Sequence, residues 1–155
     1  MKDYSTDVAL WAEDQAAKLR TGRVTELDRD NIAEELESLA SALRHELVGR
    51  LARLLQNLLQ WEYLDGLRMP VWYTAIHEER SMIPRLLEDA PSLGQNWAKA
   101  YAQAWDIARE NACNATGLTL VVLPQACPYS REHALSVTFW PGREDKAFKT
   151  TPLDG

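Results

Sequence analysis

Residues 28–64 read DRDNIAEELESLASALRHELVGRLARLLQNLLQWEYL, and this stretch decides the fold. Its apolar residues advance in steps of three and four, as they do along one side of an α-helix with 3.6 residues per turn. The repeat consists of Ile32, Leu36, Leu39, Leu43, Leu47, Leu51, Leu54 and Leu58, and no proline interrupts it. The pattern predicts either one helix about 50 Å long or two helices that meet near Ala40 and Ser41.

The helical period recurs on both sides of this stretch, and no segment alternates convincingly as a strand does. Asp7 is a suitable N-cap for the first helix, and Gly22 follows its end. Pro70 and Pro91 stand where a first-turn proline begins a helix. We therefore predict an all-α, single-domain helical bundle of about five helices, the last of them short: 5–20, 28–64, 70–89, 92–115 and 130–136.

The apolar stripes of these helices predict the core. A residue at the centre of its stripe has no other surface that could supply a core of this size. We expect the following side chains to be buried: Leu36, Leu47, Leu51, Leu54, Leu58, Trp72, Ile76, Ile83 and Trp97. Residues 140–155 show no period, so we predict a domain over 1–139 and a flexible C-terminal tail over 140–155.

Composition and charge narrow the classes of function. The chain has 155 residues, of which 46% are hydrophobic and 26% charged, as in a protein with one packed core. No apolar run approaches the length of a membrane span, and the N-terminus is too acidic for a signal peptide. The net charge is −6, and residues 1–40 hold ten acidic and five basic side chains. We expect a cytoplasmic protein that binds neither nucleic acid nor membranes.

The residues of common catalytic and metal sites lack the required spacing. The acidic group Glu34, Glu35 and Glu37 has no Glu-x-x-His partner of the kind that di-iron bundles use. His77 is followed four residues later by Ser81 and not by a second histidine, so no metalloprotease helix is present. Cys113 and Cys127 form no CxxC motif. We predict no metal, no cofactor and no catalytic residue, and we regard an enzyme as the less favoured class.

Arg80 departs from the pattern because it occupies a place on an apolar stripe between Ile76 and Ile83. A buried guanidinium needs a partner, whereas an arginine at the edge of the core extends its head group into water. Glu35 is the first candidate partner, because it lies at the flank of the neighbouring stripe. Together with this pair, three further residues would complete a polar cluster, whose members are Tyr4, Asp7, Asn31, Glu35 and Arg80.

Several motifs resemble a known family. They are Tyr4-x-x-Asp7-x-x-x-Trp11, Asn31-Ile32-Ala33-Glu34-Glu35-Leu36-Glu37-Ser38 and Pro124-x-x-Cys127-Pro128-Tyr129. They are similar to the signature of the bacterial family called domain of unknown function twenty-nine, over roughly residues 4–135. The resemblance implies an all-helical fold, and it supplies no activity, substrate, cofactor or catalytic residue.

Two hypotheses from different classes follow. In the first, the protein is a non-catalytic interaction or regulatory module that presents an acidic helical face to a partner protein with a basic face. In the second, the polar cluster around Arg80 and Glu35 lines a pocket that binds a small ligand or performs acid–base chemistry. The sequence leaves the oligomeric state open.

Overall fold

A computed structural model describes residues 3–142. Over this range the protein is all-α, with helices of both kinds taking up 77% of the residues and no strand. Its α-helices are α1 (Val8–Arg20), α2 (Arg29–Tyr63), α3 (Pro70–Asp89), α4 (Trp97–Thr116) and α5 (Arg131–Leu135). Short 3₁₀ helices lie at Val24–Glu26, Asp65–Leu67, Pro91–Asn96 and Leu120–Val122. The predicted fold class, with five helices and a short last one, is confirmed.

Local capping explains where these helices begin and end. The Asp7 carboxylate accepts a hydrogen bond from the backbone N–H of Leu10 at 3.0 Å, which caps α1. The Ser130 hydroxyl accepts one from His133 at 3.1 Å and caps α5 in the same way. Gly117 follows α4 with φ +79°, a left-handed conformation that glycine adopts without a steric penalty.

The long helix α2 is continuous from Arg29 to Tyr63, so the alternative of a break near Ala40 is wrong. The chain nevertheless divides into two compact units, Met1–Ala42 and Leu43–Gly155, and the boundary falls within α2. The first half of the helix therefore belongs to one unit and the second half to the other. Each unit has its own packing.

The second unit contains the hydrophobic core. Leu51, Leu54 and Leu58 of α2 are fully buried, as are Ile76 and Ile83 of α3. Helix α4 contributes a seam of small buried residues, whose short side chains allow close packing of neighbouring segments. This seam is formed by Ala104, Ala108 and Ala112.

The first unit departs from the predicted core. Leu36 was expected to be buried, yet 62% of its surface is exposed, and Leu39 is 59% exposed. Within this unit, two side-chain hydrogen bonds reach α2 and the residue before it. The Tyr4 hydroxyl donates to Glu35, and the Trp11 indole donates to Asp28. Leu36 lies about 100° around the helix from Glu35, so a contact at Glu35 does not cover it. Trp97, also expected in the core, is half-buried.

The core extends past the predicted domain end at residue 139. Trp140, assigned to the tail, is buried and stacks on Tyr73 with ring centroids 5.1 Å apart. An indole has enough apolar surface to hold the segment around residue 140 against the core. The rest of the predicted tail, from residue 143 onward, lies outside the described residues.

Candidate functional site

Tyr4 and Glu35, two members of the predicted polar cluster, are in contact. The Tyr4 hydroxyl donates a hydrogen bond to Glu35 Oε1 at 2.6 Å, and its ring meets Trp11 edge to face at 4.9 Å. The hydrogen bond to the Glu35 carboxylate raises the pKa of Tyr4, because ionisation would remove the donated proton. The pair fastens the N-terminal segment to α2.

Asp28 is the centre of a second network in the first unit. Its carboxylate accepts hydrogen bonds from the Asn31 side-chain amide at 2.8 Å and from Trp11 Nε1 at 3.0 Å. Its backbone N–H donates to Gln15 Oε1 at 2.8 Å. The hydrogen bond from Asn31, together with that from Trp11, lowers the pKa of Asp28. Asn31 therefore belongs to a network that fixes the start of α2.

Arg80 is buried, with 4% of its surface exposed. Its guanidinium donates hydrogen bonds to the carbonyl oxygens of Ala134 at 2.8 Å, Phe139 at 2.7 Å and His133 at 3.3 Å. It also lies over the Trp140 ring, with Cζ 5.3 Å from the centroid. Burial lowers its pKa to about 10, so the group remains charged at neutral pH.

The prediction of a carboxylate partner for Arg80 is therefore wrong. Arg80 Nε and Nη2 donate to backbone carbonyl oxygens. Among residues 3–142, no carboxylate lies within ion-pair distance of this side chain. Nη1 is buried without a hydrogen-bond partner. Arg80 thus attaches the chain segment around α5 to α3, which is a structural role.

The five residues of the predicted cluster each have partners within their own unit. Tyr4 meets Glu35 directly, Asn31 bonds to Asp28, and Asp7 caps α1. Apart from Arg80 Nη1, these contacts give the side chains partners that hold neighbouring elements together, and that the five residues form one polar cluster stays a prediction. From the sequence, Asp28 is predicted as the cap of the second helix, and its side chain does accept from the Asn31 N–H at 3.5 Å. Its further role as the acceptor that joins Trp11 to the Asn31 side chain was not predicted.

A different feature of the first unit is an acidic ladder on α2 formed by Asp30, Glu34 and Glu37. Their spacing of four and three residues places them on one side of the helix. All three are exposed, and they have no hydrogen bond or ion pair to any residue that the structure describes. The ladder is an uncompensated anionic surface.

The buried carboxylate of the second unit is compensated. Glu79 of α3 is 2% exposed and lies between two arginines of α2. Arg53 Nη1 is 2.8 Å from its Oε1, and Arg50 Nη1 is 3.3 Å from its Oε2. These two ion pairs compensate the buried Glu79 carboxylate and join α2 to α3.

A group of ionisable side chains surrounds Tyr129. Its hydroxyl donates a short hydrogen bond to Glu62, and its carbonyl oxygen accepts one from the Tyr101 hydroxyl at 2.8 Å. Burial raises the pKa of Tyr129 and of Tyr101. Burial also raises the pKa of Cys127, whose thiol is 3.5 Å from the Tyr129 carbonyl oxygen. A raised pKa disfavours the thiolate, so Cys127 has the environment of an inert cysteine.

The second unit also contains a cavity of about 380 Å³. It lies between α2, the 3₁₀ helix Pro91–Asn96 and the start of α4. Arg44, His45 and Lys99 line it together with neutral polar and apolar side chains. Sequence reasoning missed this site, because Arg44 and Lys99 are far apart in the chain and each has the appearance of ordinary helix surface.

Two further observations concern the described residues as a whole. Between residues 3 and 142, no three histidine, cysteine, aspartate or glutamate side chains converge as metal ligands do. Over the same range, none of the helices combines the length and the apolar character that crossing a membrane requires. That the protein binds no metal stays a prediction.

Fold and site thus define an all-helical protein whose buried ionisable groups serve its structure. The family model described as "Domain of unknown function DUF29" matches residues 4–140, and the chain belongs to this family. The resemblance seen in the sequence motifs is confirmed. No curated protein and no solved structure matches the chain.

Proposed function

We propose that this protein is a non-catalytic interaction module whose first unit binds a basic segment of a partner protein. The charge is distributed unevenly between the two units. Residues 1–42 contain ten acidic and five basic side chains, a net charge of −5, whereas residues 43–155 contain thirteen and twelve, a net charge of −1. The first unit therefore carries nearly all of the −6 charge of the chain and attracts cationic surfaces.

The acidic ladder is the observation that carries this proposal. Like charges four residues apart on a helix destabilise it by about 0.2–0.5 kcal/mol per pair. Asp30 gains from the helix dipole because it lies in the first turn, but Glu34 and Glu37 lie beyond it. A basic partner would offset this repulsion. The ladder has the form of one half of an electrostatic interface.

Leu36 adds an apolar element to the same surface. It lies about 100° around the helix from Glu37, and the small residues Ala33 and Ala40 lie between them. A partner segment that carries lysine or arginine beside apolar residues would contact both. A second copy of this chain is disfavoured as the occupant, because two surfaces of the same negative charge repel each other.

The chemistry of the second unit supports a non-catalytic role. Its buried carboxylate is paired with two arginines, and its half-buried cysteine Cys127 has a raised pKa.

We also place the protein in the bacterial cytoplasm. Cys113 and Cys127 are free thiols, and free thiols are usual where the compartment is reducing.

The test uses a synthetic amphipathic helical peptide of leucine and lysine, with a leucine–glutamate peptide as the control ligand. Isothermal titration calorimetry compares the natural protein with the variant Asp30→Asn/Glu34→Gln/Glu37→Gln. Three surface ion pairs of about 0.5 kcal/mol each correspond to a roughly tenfold weaker Kd. Added salt is expected to weaken binding to the natural protein, because the charges are exposed.

A matched variant distinguishes the contribution of the acidic ladder to peptide binding from that of the net charge. Glu88, Asp89 and Glu110 are exposed acids of the second unit, and they have no ion pair to any residue within 3–142. Their neutralisation removes the same charge and is expected to change Kd less than twofold. Equal losses in the two triple variants, or no binding of the leucine–lysine peptide, would contradict the proposal.

A further inference from the structure

We infer that the cavity of the second unit is a binding site for a small organic anion. It is a concave space of about 380 Å³, near the lower end of the range of about 300–1,000 Å³ that is usual for small-molecule sites. It is distinct from the acidic ladder, because all of its lining residues belong to the second unit. The inference does not depend on the proposed function.

The charge of the lining is the first argument. Arg44 and His45 reach the cavity from α2, and Lys99 reaches it from the first turns of α4. Of the residues between 3 and 142, no aspartate or glutamate lies on the lining, although the chain has 23 acidic and 17 basic side chains. Arg44 and Lys99 thus present two basic groups to one space, and a bound anion would interact favourably with both.

The hydrogen-bonding state of the lining is the second argument. Four neutral polar side chains face the cavity, and each is able to donate a hydrogen bond. Like the three basic groups, they have no hydrogen bond or ion pair to any other residue in the described part of the chain. Their donors are available to a ligand. The four residues are Ser92, Gln95, Asn96 and Gln103.

The apolar part of the lining indicates that the ligand has an apolar part too. Leu47 and Leu93 line the cavity and belong to the hydrophobic core, and the partly buried Val48 and Ala100 also line it. A bare inorganic ion would leave this apolar surface against water, whereas an organic anion would cover it. The class of ligand is therefore a small molecule with a phosphate or carboxylate group attached to a less polar body.

The helical framework holds these groups in place. Arg44, Leu47 and Val48 follow the i, i+3, i+4 spacing of one helix face, and Lys99 and Gln103 follow it on α4. The leucines that anchor this arrangement are buried. Groups carried on packed helices require little rearrangement on binding, which favours affinity.

Calorimetry with adenosine 5′-monophosphate and with adenosine tests the inference, because the two probes differ only in the phosphate. The phosphate ester is expected to bind at least about tenfold more tightly. Inorganic phosphate and citrate extend the series to a bare anion and to carboxylates. Nuclear magnetic resonance shift changes are expected to concentrate in residues 44–48 and 92–103.

The variant Arg44→Gln/Lys99→Gln is expected to weaken binding of the phosphate ester by about tenfold or more. The matched control is Arg20→Gln/Arg85→Gln. Both of its arginines are exposed and have no ion pair within residues 3–142, so it removes the same charge without touching the cavity. The inference is overturned if none of the four probes binds saturably at millimolar concentration, if adenosine binds as tightly as its phosphate ester, or if the two double variants behave alike.

Discussion

The two halves of α2 carry the same apolar repeat and have opposite environments. Leu51 and Leu54 in the second half are fully buried, whereas Leu36 and Leu39 in the first half are more than half exposed. The sequence step between members of the repeat is three or four residues throughout. Periodicity therefore determines that a segment is a helix with an apolar stripe, and the neighbouring elements determine whether that stripe is buried.

The two halves also differ in how their charged residues are used. In the second half, Arg50 and Arg53 pair with acidic side chains of α3. In the first half, Glu34 and Glu37 have no such partner among the described residues. The second half of the helix is thus part of the core, whereas the first half has exposed leucines and acidic side chains without an ion pair to any described residue.

The largest expected effect comes from truncating one leucine in each half. Leu54→Ala removes a fully buried side chain and leaves a cavity, so it is expected to reduce the free energy of unfolding by about 2–5 kcal/mol. Leu39→Ala changes an exposed side chain and is expected to cost less than about 0.5 kcal/mol. Urea denaturation followed by circular dichroism measures both. Similar losses would show that both halves are buried in solution.

Arg80→Met is expected to have the next largest effect, within the second unit. The substitution keeps the apolar stem and leaves three carbonyl oxygens without their charged donor, a loss of about 1.5–3 kcal/mol. Arg85→Met, at an exposed position of the same helix, serves as the control. Because Glu35 accepts a hydrogen bond from Tyr4, the stability losses of Arg80→Met and Glu35→Gln are expected to add in the double variant. Recovery of stability in the double variant would instead indicate an ion pair between Arg80 and Glu35.

The smallest expected effect is a pH-dependent change confined to the first unit. The pKa of Asp28 is lowered below its ordinary 3.8, so the stability from its hydrogen bonds is fully present above pH 3.8. It is lost as the pH falls below 3.8 through the lower pKa of the folded state. The Trp11 indole N–H resonance is expected to shift in that window, and Asp28→Asn should remove the step.

The Trp105 indole is the internal control for this titration. It donates to the Pro124 carbonyl at 3.1 Å, an acceptor that does not titrate. Its resonance is therefore expected to stay in place while that of Trp11 shifts. A step in both signals at the same pH would indicate general acid unfolding, and a Trp11 midpoint above 3.8 would contradict the lowered pKa of Asp28.

Helix positions were predictable because their signals are local. The caps Asp7 and Ser130, the first-turn prolines and the terminal glycine Gly117 all act within one turn of the residue concerned. The leucines of the second half are buried as predicted, but the same period also predicted burial of the exposed Leu36, so the period alone did not decide burial. Burial of Trp140 was not predictable, since no period marks an aromatic residue that packs after the last helix.

The contacts of individual side chains were the least predictable. Position on an apolar stripe showed that Arg80 is unusual and needs acceptors, yet it did not distinguish a carboxylate from the carbonyl oxygens of a distant segment. The cavity poses the same difficulty. Arg44 and Lys99 converge only because α2 and α4 pack around the 3₁₀ helix Pro91–Asn96, and helix periodicity contains no information about that packing.

Hydrogen–deuterium exchange along α2 is the most direct test of the contrast between its two halves. The same measurement tests the proposal that a partner binds the first half. In the free protein, amides of residues 33–42 are expected to exchange at least about 100-fold faster than those of residues 51–61, because only the second half is held by a core. Addition of the leucine–lysine peptide is expected to slow exchange in residues 33–42 and leave residues 51–61 unchanged. Uniform slow exchange over the whole helix without peptide, or no slowing in the first half at saturating peptide, would contradict the account.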